Sequence, residues 1–250
     1  MEPIYTAINV TPAYQLNWGL TIFWRQRPIP DKEWLTELQA ATEPDGVRIL
    51  KHRLTQNNAS QFFVSTKPHV APSEMIRSVK GRLQHLIRIR QPKAFQRNYA
   101  VRSIVEDYVA RQSDRHPMAD PRVQELLTRY QKFFPDVDLS CPVFSAHGEY
   151  WYILHLVMVN ESRWMEIRST ILDRISSMIE QVAAKYACRL SRVGLLPDHI
   201  HLTLGCPIDK SPESIALSFL KNCAYAVGMK PVFQSGYYVG TIGEYDRGSV

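Results

Sequence analysis

The stretch LLPDHIHLTLG, residues 195–205, holds two histidines that could do chemistry together. His199 and His201 lie two positions apart, with Ile200 between them. Residues two apart in a β-strand project from the same face, so we expect both imidazoles on one face and Ile200 in the core. Two imidazoles placed in this way can bind one cation. The alternative is a pair of core or edge histidines without a ligand.

Three kinds of site would use this pair. The HLT triplet at 201–203 fits the H-x-T pattern of two-histidine phosphoesterases, but none of the other histidines supplies the second H-x-T or H-x-S that they need. A zinc site could add Cys206, although it lacks an evident fourth ligand. A divalent-metal site for phosphoryl transfer on nucleic acid would need one further ligand and a nucleophile. An oxygen ligand would suit Mg²⁺ or Mn²⁺, and a tyrosine could be the nucleophile.

The elements that must position the pair occur twice along the chain in the same order. Each series runs aromatic strand, helix, two strands, helix and last strand. The first series is 14–24, 32–41, 47–54, 61–66, a helix within the segment 67–84, and 99–104. The second is 150–159, 164–186, 188–194, 199–204, 211–226 and 237–242. The longest helix spaces its apolar residues three or four apart as one buried face: Ile167, Ile171, Ile175, Met178 and Val182. The order predicts an α/β fold of the α+β type, with two ferredoxin-like sandwiches and antiparallel sheets.

The two copies differ at the histidines. Residues 67–84 align with 206–223 at an offset of 139, and 99–106 with 237–244 at an offset of 138. At the offset of 139, His199 and His201 fall on Ser60 and Phe62. We therefore expect a degenerate copy at 1–138 and a copy with the histidine pair at 139–250.

Positive charge is clustered in the first copy. The chain carries a net charge of +6, and eight basic residues occur in 77–102 without an Asp or Glu between them. They are Arg77, Lys80, Arg82, Arg88, Arg90, Lys93, Arg97 and Arg102. The stretch predicts a track for the phosphate backbone of nucleic acid, with a solvated face as the alternative.

Cysteine spacing and the chain's N-terminus indicate the compartment. The four cysteines include no CxxC pair, and MEPIYTAINV lacks the features of a signal peptide. The longest apolar run, 150–159, has the length of a strand and is too short to span a membrane. We expect a cytoplasmic, nucleoid-associated protein without a membrane segment.

The sequence LPDHIHLTL resembles the histidine–hydrophobic–histidine motif of the single-tyrosine HUH transposases, a family that includes the REP-associated tyrosine transposases and compact insertion-sequence transposases. In that family a later helix carries a catalytic tyrosine, followed four residues on by a glutamine that completes the metal site. The segment YVARQ, from Tyr108 to Gln112, is similar to this element, and FQSGYYVGTIG at 233–243 is similar to the family's final strand. Residues four apart on a helix share a face. The alternative for YVARQ is a surface helix.

The resemblance implies one composite site in a fused pseudo-dimer. Family members are typically homodimers, and in many of them the tyrosine helix of one subunit docks on the histidine pair of the other. The C-terminal copy would give His199 and His201. The N-terminal copy would give Tyr108 and Gln112 from a helix at about 104–116, and Tyr245 would be the backup nucleophile.

Such a protein would be an Mg²⁺- or Mn²⁺-dependent single-strand DNA endonuclease and strand transferase that forms a 5′-phosphotyrosine. Its partner would be single-stranded DNA with hairpin or palindromic ends, and the chain would act as a monomeric pseudo-dimer. The alternative is a domesticated, inactive binder of structured single-stranded DNA or RNA.

Overall fold

A computed structural model describes residues 3–104, 128–228 and 231–241. The predicted α+β class is confirmed, because the chain combines two six-stranded sheets with helices packed on them. The strands are β1 (Thr11–Gln15), β2 (Asn17–Trp24), β3 (Val47–Leu54), β4 (Ala59–Thr66), β5 (Phe95–Ile104), β6 (Gln131–Phe133), β7 (Val143–Ser145), β8 (Gly148–Trp151), β9 (Ile153–Val159), β10 (Arg189–Leu195), β11 (His199–Gly205) and β12 (Gly236–Thr241). The α-helices are α1 (Leu35–Thr42), α2 (Pro72–Ile87), α3 (Ser169–Lys185) and α4 (Pro212–Val227).

The two sheets have matching strand orders. The N-terminal sheet runs β3-β4-β2-β5-β8-β7, and the C-terminal sheet runs β10-β11-β9-β12 with β6 beside β10 and β1 beside β12. Neighbouring strands are antiparallel within β3-β4-β2-β5 and within β10-β11-β9-β12. The pairings of β5 with β8 and of β12 with β1 are parallel.

Each sheet takes two strands from the other half of the chain: β7 and β8 lie in the N-terminal sheet, and β1 and β6 lie in the C-terminal sheet. Strand β1 pairs with β12, whereas β2, which follows it directly, lies in the N-terminal sheet. Strand β8 pairs with β5, whereas β9, which follows it directly, lies in the C-terminal sheet. The chain changes sheets at Leu16 and at Tyr152, which are both buried. The chain therefore passes from the C-terminal sheet to the N-terminal sheet at Leu16 and back at Tyr152. Each of the two aromatic segments expected as one strand, 14–24 and 150–159, is divided between two strands.

Two backbone hydrogen bonds between the halves are reciprocal. The N–H of Ser73 donates to the carbonyl of Ile208 at 3.0 Å, and the N–H of Glu213 donates to the carbonyl of Pro68 at 2.9 Å. Ser73 and Glu213 are 140 positions apart, as are Pro68 and Ile208. A contact in which residue i meets j and the counterpart of j meets the counterpart of i is the signature of a two-fold axis.

The offset of 139 expected from the sequence is wrong by one residue. Helices α2 and α4 both begin on a proline, Pro72 and Pro212, which are 140 positions apart. Under the offset of 139, the histidines would match Ser60 and Phe62, which are buried on the helix side of β4. A one-residue change of offset moves each side chain to the other face of the strand. At the offset of 140, the counterparts of His199 and His201 are Ala59 and Gln61. The offset of 138 holds for the last strands, where Val101 and Val239 pair with Leu20 and Leu156 of equivalent strands.

Helix α3 is shorter than the predicted 164–186. Ile167 precedes the helix and is exposed, so its place in the buried face was wrong. The preceding segment is held outside the helix because the N–H of Glu166 donates to the carbonyl of Pro197, 2.8 Å away. The buried face begins inside the helix and includes Ile175 and Val182.

The helices cover one face of each sheet and leave the other, here called the open face, in contact with solvent. In β9 and β11, buried residues alternate with partly exposed ones, as one covered face requires. The covered faces form the hydrophobic core. None of the helices within the described ranges has the length and apolar character needed to cross a lipid bilayer.

Candidate active site

His199 and His201 lie together on the open face of the C-terminal sheet. Their ring centroids are 4.8 Å apart, with the ring planes at 70°. Ile200 between them is buried in the core. The strand geometry expected from the sequence is therefore present, and β11 is flanked by β9 and β10, which fix its position from both sides.

Asp198 orients the first imidazole. Its Oδ1 lies 2.6 Å from Nδ1 of His199, and its Oδ2 accepts a hydrogen bond of 2.9 Å from Nη1 of Arg163. Burial by itself would raise the pKa of Asp198, but the hydrogen bonds from Arg163 and His199 outweigh it and hold the pKa below its usual range. The carboxylate is thus charged at neutral pH. It favours the tautomer of His199 that carries its hydrogen on Nδ1, which leaves the Nε2 lone pair as the ligand.

His155 holds the second imidazole. It lies on β9, and its Nε2 is 2.9 Å from Nδ1 of His201. The two rings are stacked, with centroids 5.1 Å apart and planes at 16°. Burial lowers the pKa of His155 to about 4, so the ring is neutral at pH 7 and can accept a hydrogen bond. A His201 that donates from Nδ1 presents the Nε2 lone pair, as His199 does.

Sequence reasoning missed the role of His155. The residue sits in the apolar run YILHLVMV, which predicts a strand but does not give its register with β11. In the fold, His155 pairs with Thr203, two residues after His201 and on the same face. The sequence offered one signal: His155 stands at one of the positions that alternate with core residues along its strand.

The turn before His199 is fixed by its backbone. The carbonyl of Pro197 accepts from Nδ2 of the buried Asn160 at 2.8 Å and from the N–H of Glu166 at 2.8 Å. The N–H of Asn160 donates to the carbonyl of Asp198, also at 2.8 Å. These bonds hold the Pro-Asp pair against the end of β9, so that the Asp198 carboxylate reaches the adjacent imidazole.

The donor set fits part of a divalent-metal site. His199 and His201 each have a partner for Nδ1, which is the arrangement that metal-binding histidines use to present Nε2. The described residues contain no group of three or more His, Cys, Asp or Glu side chains that could hold a metal. A site built on this pair therefore needs a further ligand of another type or from outside the described ranges.

Cys206 does not supply that ligand. It is buried at the far end of β11, and its Sγ donates to the carbonyl of Leu204 at 3.7 Å. Its thiol lies beside that of Cys188, and burial raises the pKa of Cys206 well above its usual value. A protonated core thiol is a poor zinc ligand, which disfavours the zinc alternative.

Three of the predicted site residues fall outside the described ranges. Tyr108 and Gln112 lie in 105–127, and Tyr245 lies in 242–250. Their roles as nucleophile, metal ligand and backup nucleophile remain predictions.

The eight predicted DNA-binding cations lie on both sides of the N-terminal sheet. Arg77, Lys80 and Arg82 belong to α2. Arg97 and Arg102 belong to β5, where Arg102 lies on the open face, while Arg88, Arg90 and Lys93 lie between the two elements. The set therefore does not follow a single surface, and its role in binding phosphates remains a prediction.

Several of these cations bind other groups of the same chain. Nζ of Lys80 donates to the carbonyls of Gln96 and Arg97, at 2.7 and 3.0 Å. Arg82 forms two hydrogen bonds of 2.7 Å with the carboxylate of Asp45, and Arg90 pairs with Glu33. These side chains contribute to the fold whether or not they also meet phosphates.

Residues 149–250 match the family model described as "Transposase IS200 like". This segment contains β9, β10, β11 and β12, together with His155, His199 and His201. No curated protein sequence shows a significant match to the chain.

Two solved structures with weak similarity can be compared. One is the REP-associated tyrosine transposase bound to a REP hairpin, at 18% identity and a TM-score of 0.34, covering 38% of this chain and 58% of that one. The other is a protein assigned as a glycine cleavage system transcriptional repressor, at 11% identity and a TM-score of 0.25, covering 92% of this chain and 98% of that one. The chain thus spans little more than half of the transposase structure, and its similarity to IS200-like transposases is the sequence match of residues 149–250.

Proposed function

We propose that this chain is a metal-dependent single-strand DNA endonuclease and strand transferase. The match of residues 149–250 to the model of IS200-like transposases supports a transposase-like function. The observation that supports the finer proposal is the pair His199 and His201, with ring centroids 4.8 Å apart and each Nδ1 held by a neighbouring side chain.

We assign Mg²⁺ or Mn²⁺ to His199, His201 and Gln112. The amide oxygen of Gln112 would complete the set with the kind of donor that these hard cations prefer. When bound, the cation would draw electron density from the scissile phosphate and make it easier to attack. Asp198 and His155 would keep the two imidazoles in the correct tautomer and orientation.

Tyr108 is the proposed nucleophile. Its phenol oxygen would bond to the scissile phosphorus as the phenol proton passes to solvent, and the bond from that phosphorus to the 3′ oxygen would break. The 3′ oxygen would take up a proton and depart as a hydroxyl group, leaving the 5′ phosphate on the tyrosine. One phosphoester bond replaces another, so strand transfer needs no ATP.

The site would be composite within one chain that acts as a monomeric pseudo-dimer. The reciprocal hydrogen bonds of Ser73 and Glu213 support this proposal, as does the reciprocal exchange of β1 and β8. A fused pair of subunits needs only one histidine pair and one tyrosine helix for one active site. Loss of the histidines from the N-terminal copy would then leave activity intact.

Single-stranded DNA with hairpin or palindromic ends is the proposed partner. The test is to incubate the protein with Mn²⁺ and labelled single strands and to resolve protein-linked DNA on a denaturing gel. We expect a covalent band that is lost in Tyr108→Phe and His199→Ala and retained in Tyr245→Phe. Binding without any covalent band would instead favour an inactive, domesticated binder of structured DNA or RNA.

A further inference from the structure

The open face of the N-terminal sheet has small residues where the C-terminal sheet carries rings. The strand pairings make Gly19 the counterpart of His155, because they pair with Phe63 and Thr203, which are 140 positions apart. In the same way, Ala59 replaces His199, and Ala100 replaces Tyr238. Removal of these rings hollows out the face.

A cavity of about 550 Å³ lies in this hollow. Gly19, Thr21 and Ala100 contribute to its floor, and Gln61 supplies an amide there. A volume of this size is typical of sites for small organic groups, roughly 300–1,000 Å³. The hollow is therefore large enough for a planar ring to enter from solvent.

Aromatic side chains stand on both sides of the cavity. Phe63 on β4 and Trp151 on β8 line it, and both are partly exposed. Phe144 on β7 pairs with Glu149, two residues from Trp151, so it projects from the same face, and it is 76% exposed. Nε1 of Trp151 donates to the carbonyl of Ser140 at 2.9 Å, which fixes the orientation of the indole.

Positive charge surrounds these rings. Lys51 and Arg53 on β3 and Arg102 on β5 line the cavity and are exposed. The guanidinium carbon of Arg102 lies 5.3 Å from the centroid of the Trp151 ring, so the two groups form a cation–π pair. Glu149 also lies on this face, which leaves three cations against one carboxylate in the group.

We infer that the open face of the N-terminal sheet is a second binding site for single-stranded DNA, where bases stack on Phe63 and Trp151 and phosphates meet Lys51, Arg53 and Arg102. Exposed aromatic rings interleaved with cations on an open sheet are the features that bind unpaired bases. Oε1 of Gln61 accepts a hydrogen bond of 2.6 Å from Nε of Arg53, and the Nε2 amide of Gln61 can donate to the edge of a base. The site has Ala59 and Gln61 where the C-terminal sheet has His199 and His201. It would therefore hold a flanking segment of the strand that is cut at His199 and His201.

The choice of DNA as the ligand rests on the proposed function, whereas the stacking site itself does not. The test measures the affinity of fluorescein-labelled oligothymidylate, without metal, by anisotropy. We expect Phe63→Ala and Trp151→Ala each to weaken binding roughly 5- to 100-fold, in keeping with one lost base–aromatic stack. Trp151→Phe should retain most of the affinity, and Tyr225→Ala, which removes an exposed ring from α4, should leave it unchanged.

Ultraviolet cross-linking followed by peptide mass spectrometry locates the contact independently of any variant. We expect linked peptides that contain Phe63 or Trp151. Unchanged affinity in Phe63→Ala and Trp151→Ala, with cross-links elsewhere, would overturn the site whether or not the protein cleaves DNA. Tight stacking on these rings in a protein that forms no covalent DNA adduct would retain the site and remove the nuclease proposal. Tighter binding by oligouridylate than by oligothymidylate would contradict the choice of DNA.

Discussion

Nε2 of His155 on β9 lies 2.9 Å from Nδ1 of His201 on β11, and the two rings are stacked. This contact adds a third histidine to the pair that the sequence displays. It links the central strand of the C-terminal sheet to the strand that carries the motif. His155 is a positioning residue, since it reaches the site through His201.

We expect His155→Ala to remove the contact that holds the His201 ring in one orientation. The Mn²⁺ concentration needed for half-maximal adduct formation should then rise by about 10- to 100-fold, the usual effect of removing the partner of a metal-binding histidine. His155→Gln should recover part of the loss, because its amide oxygen can accept the hydrogen bond. A Mn²⁺ titration of adduct formation measures both variants. If His155→Ala and the unmodified protein need the same Mn²⁺ concentration for half-maximal adduct formation, the positioning role of His155 is refuted.

Asp198→Asn should also weaken adduct formation, by about 10-fold or more, because an amide holds the Nδ1 hydrogen of His199 less strongly than a carboxylate does. Arg163→Ala serves as the control, since it leaves the 2.6 Å contact between Asp198 and His199 in place. Its effect should be smaller than that of Asp198→Asn. A reversed order in the initial rates of adduct formation would mean that Arg163 acts by a route other than Asp198.

The ion pair of Asp45 and Arg82 predicts how stability responds to acid. Hydrogen bonds from Arg82 and then Ser78 lower the pKa of Asp45 from 3.8 to about 2. A lowered carboxylate pKa stabilises the fold above pH 4, and the contribution is lost as the pH falls from about 4 to 2. Because the pair is partly exposed, we expect Asp45→Asn to cost only about 1 kcal/mol of unfolding free energy at pH 6.

Urea unfolding at several pH values checks this expectation. The difference in unfolding free energy between Asp45→Asn and the unmodified protein should become smaller as the pH approaches 2. A difference in unfolding free energy that grows toward low pH would show that folding raises the pKa of Asp45 instead of lowering it.

Glycine replacements test the exchanged strand β8. A Cβ at Gly148 would clash with the backbone carbonyl oxygen of Tyr99, in the parallel pairing of β5 with β8. We expect Gly148→Ala to lower the free energy of unfolding by about 1–3 kcal/mol. Gly81→Ala in α2 is the control: its Cβ would meet nothing within 4 Å, and alanine should stabilise the helix by up to about 1 kcal/mol. Thermal unfolding that shows equal effects for both variants would contradict the pairing.

The sequence predicted the elements that local patterns determine. Alternation of apolar residues placed His199 and His201 on one face, and α4 begins at Pro212, one residue after the start of the predicted range 211–226. Repetition of the same element order in both halves predicted two sheets. These features depend on residues that are close together along the chain.

Features that depend on strand partners could not be predicted in this way. The aromatic run at 14–24 reads as one strand, yet the chain changes sheets at Leu16 and β1 pairs with residues more than 200 positions away. The offset error of one residue arose because identities in a diverged repeat do not report which face of a strand is buried. The approach of His155 to His201 depends on the register of β9 with β11, which period-two alternation leaves open.

The central claim is that one chain combines the histidines of its C-terminal half with Tyr108 of its N-terminal half. The most direct test is to form the covalent adduct on a labelled single strand with Mn²⁺, digest it with trypsin and nuclease, and identify the modified tyrosine by mass spectrometry. We predict that the peptide containing Tyr108 carries a nucleotide, attached to the tyrosine through its 5′ phosphate. Modification of Tyr245 or of any other tyrosine in its place would contradict the composite site.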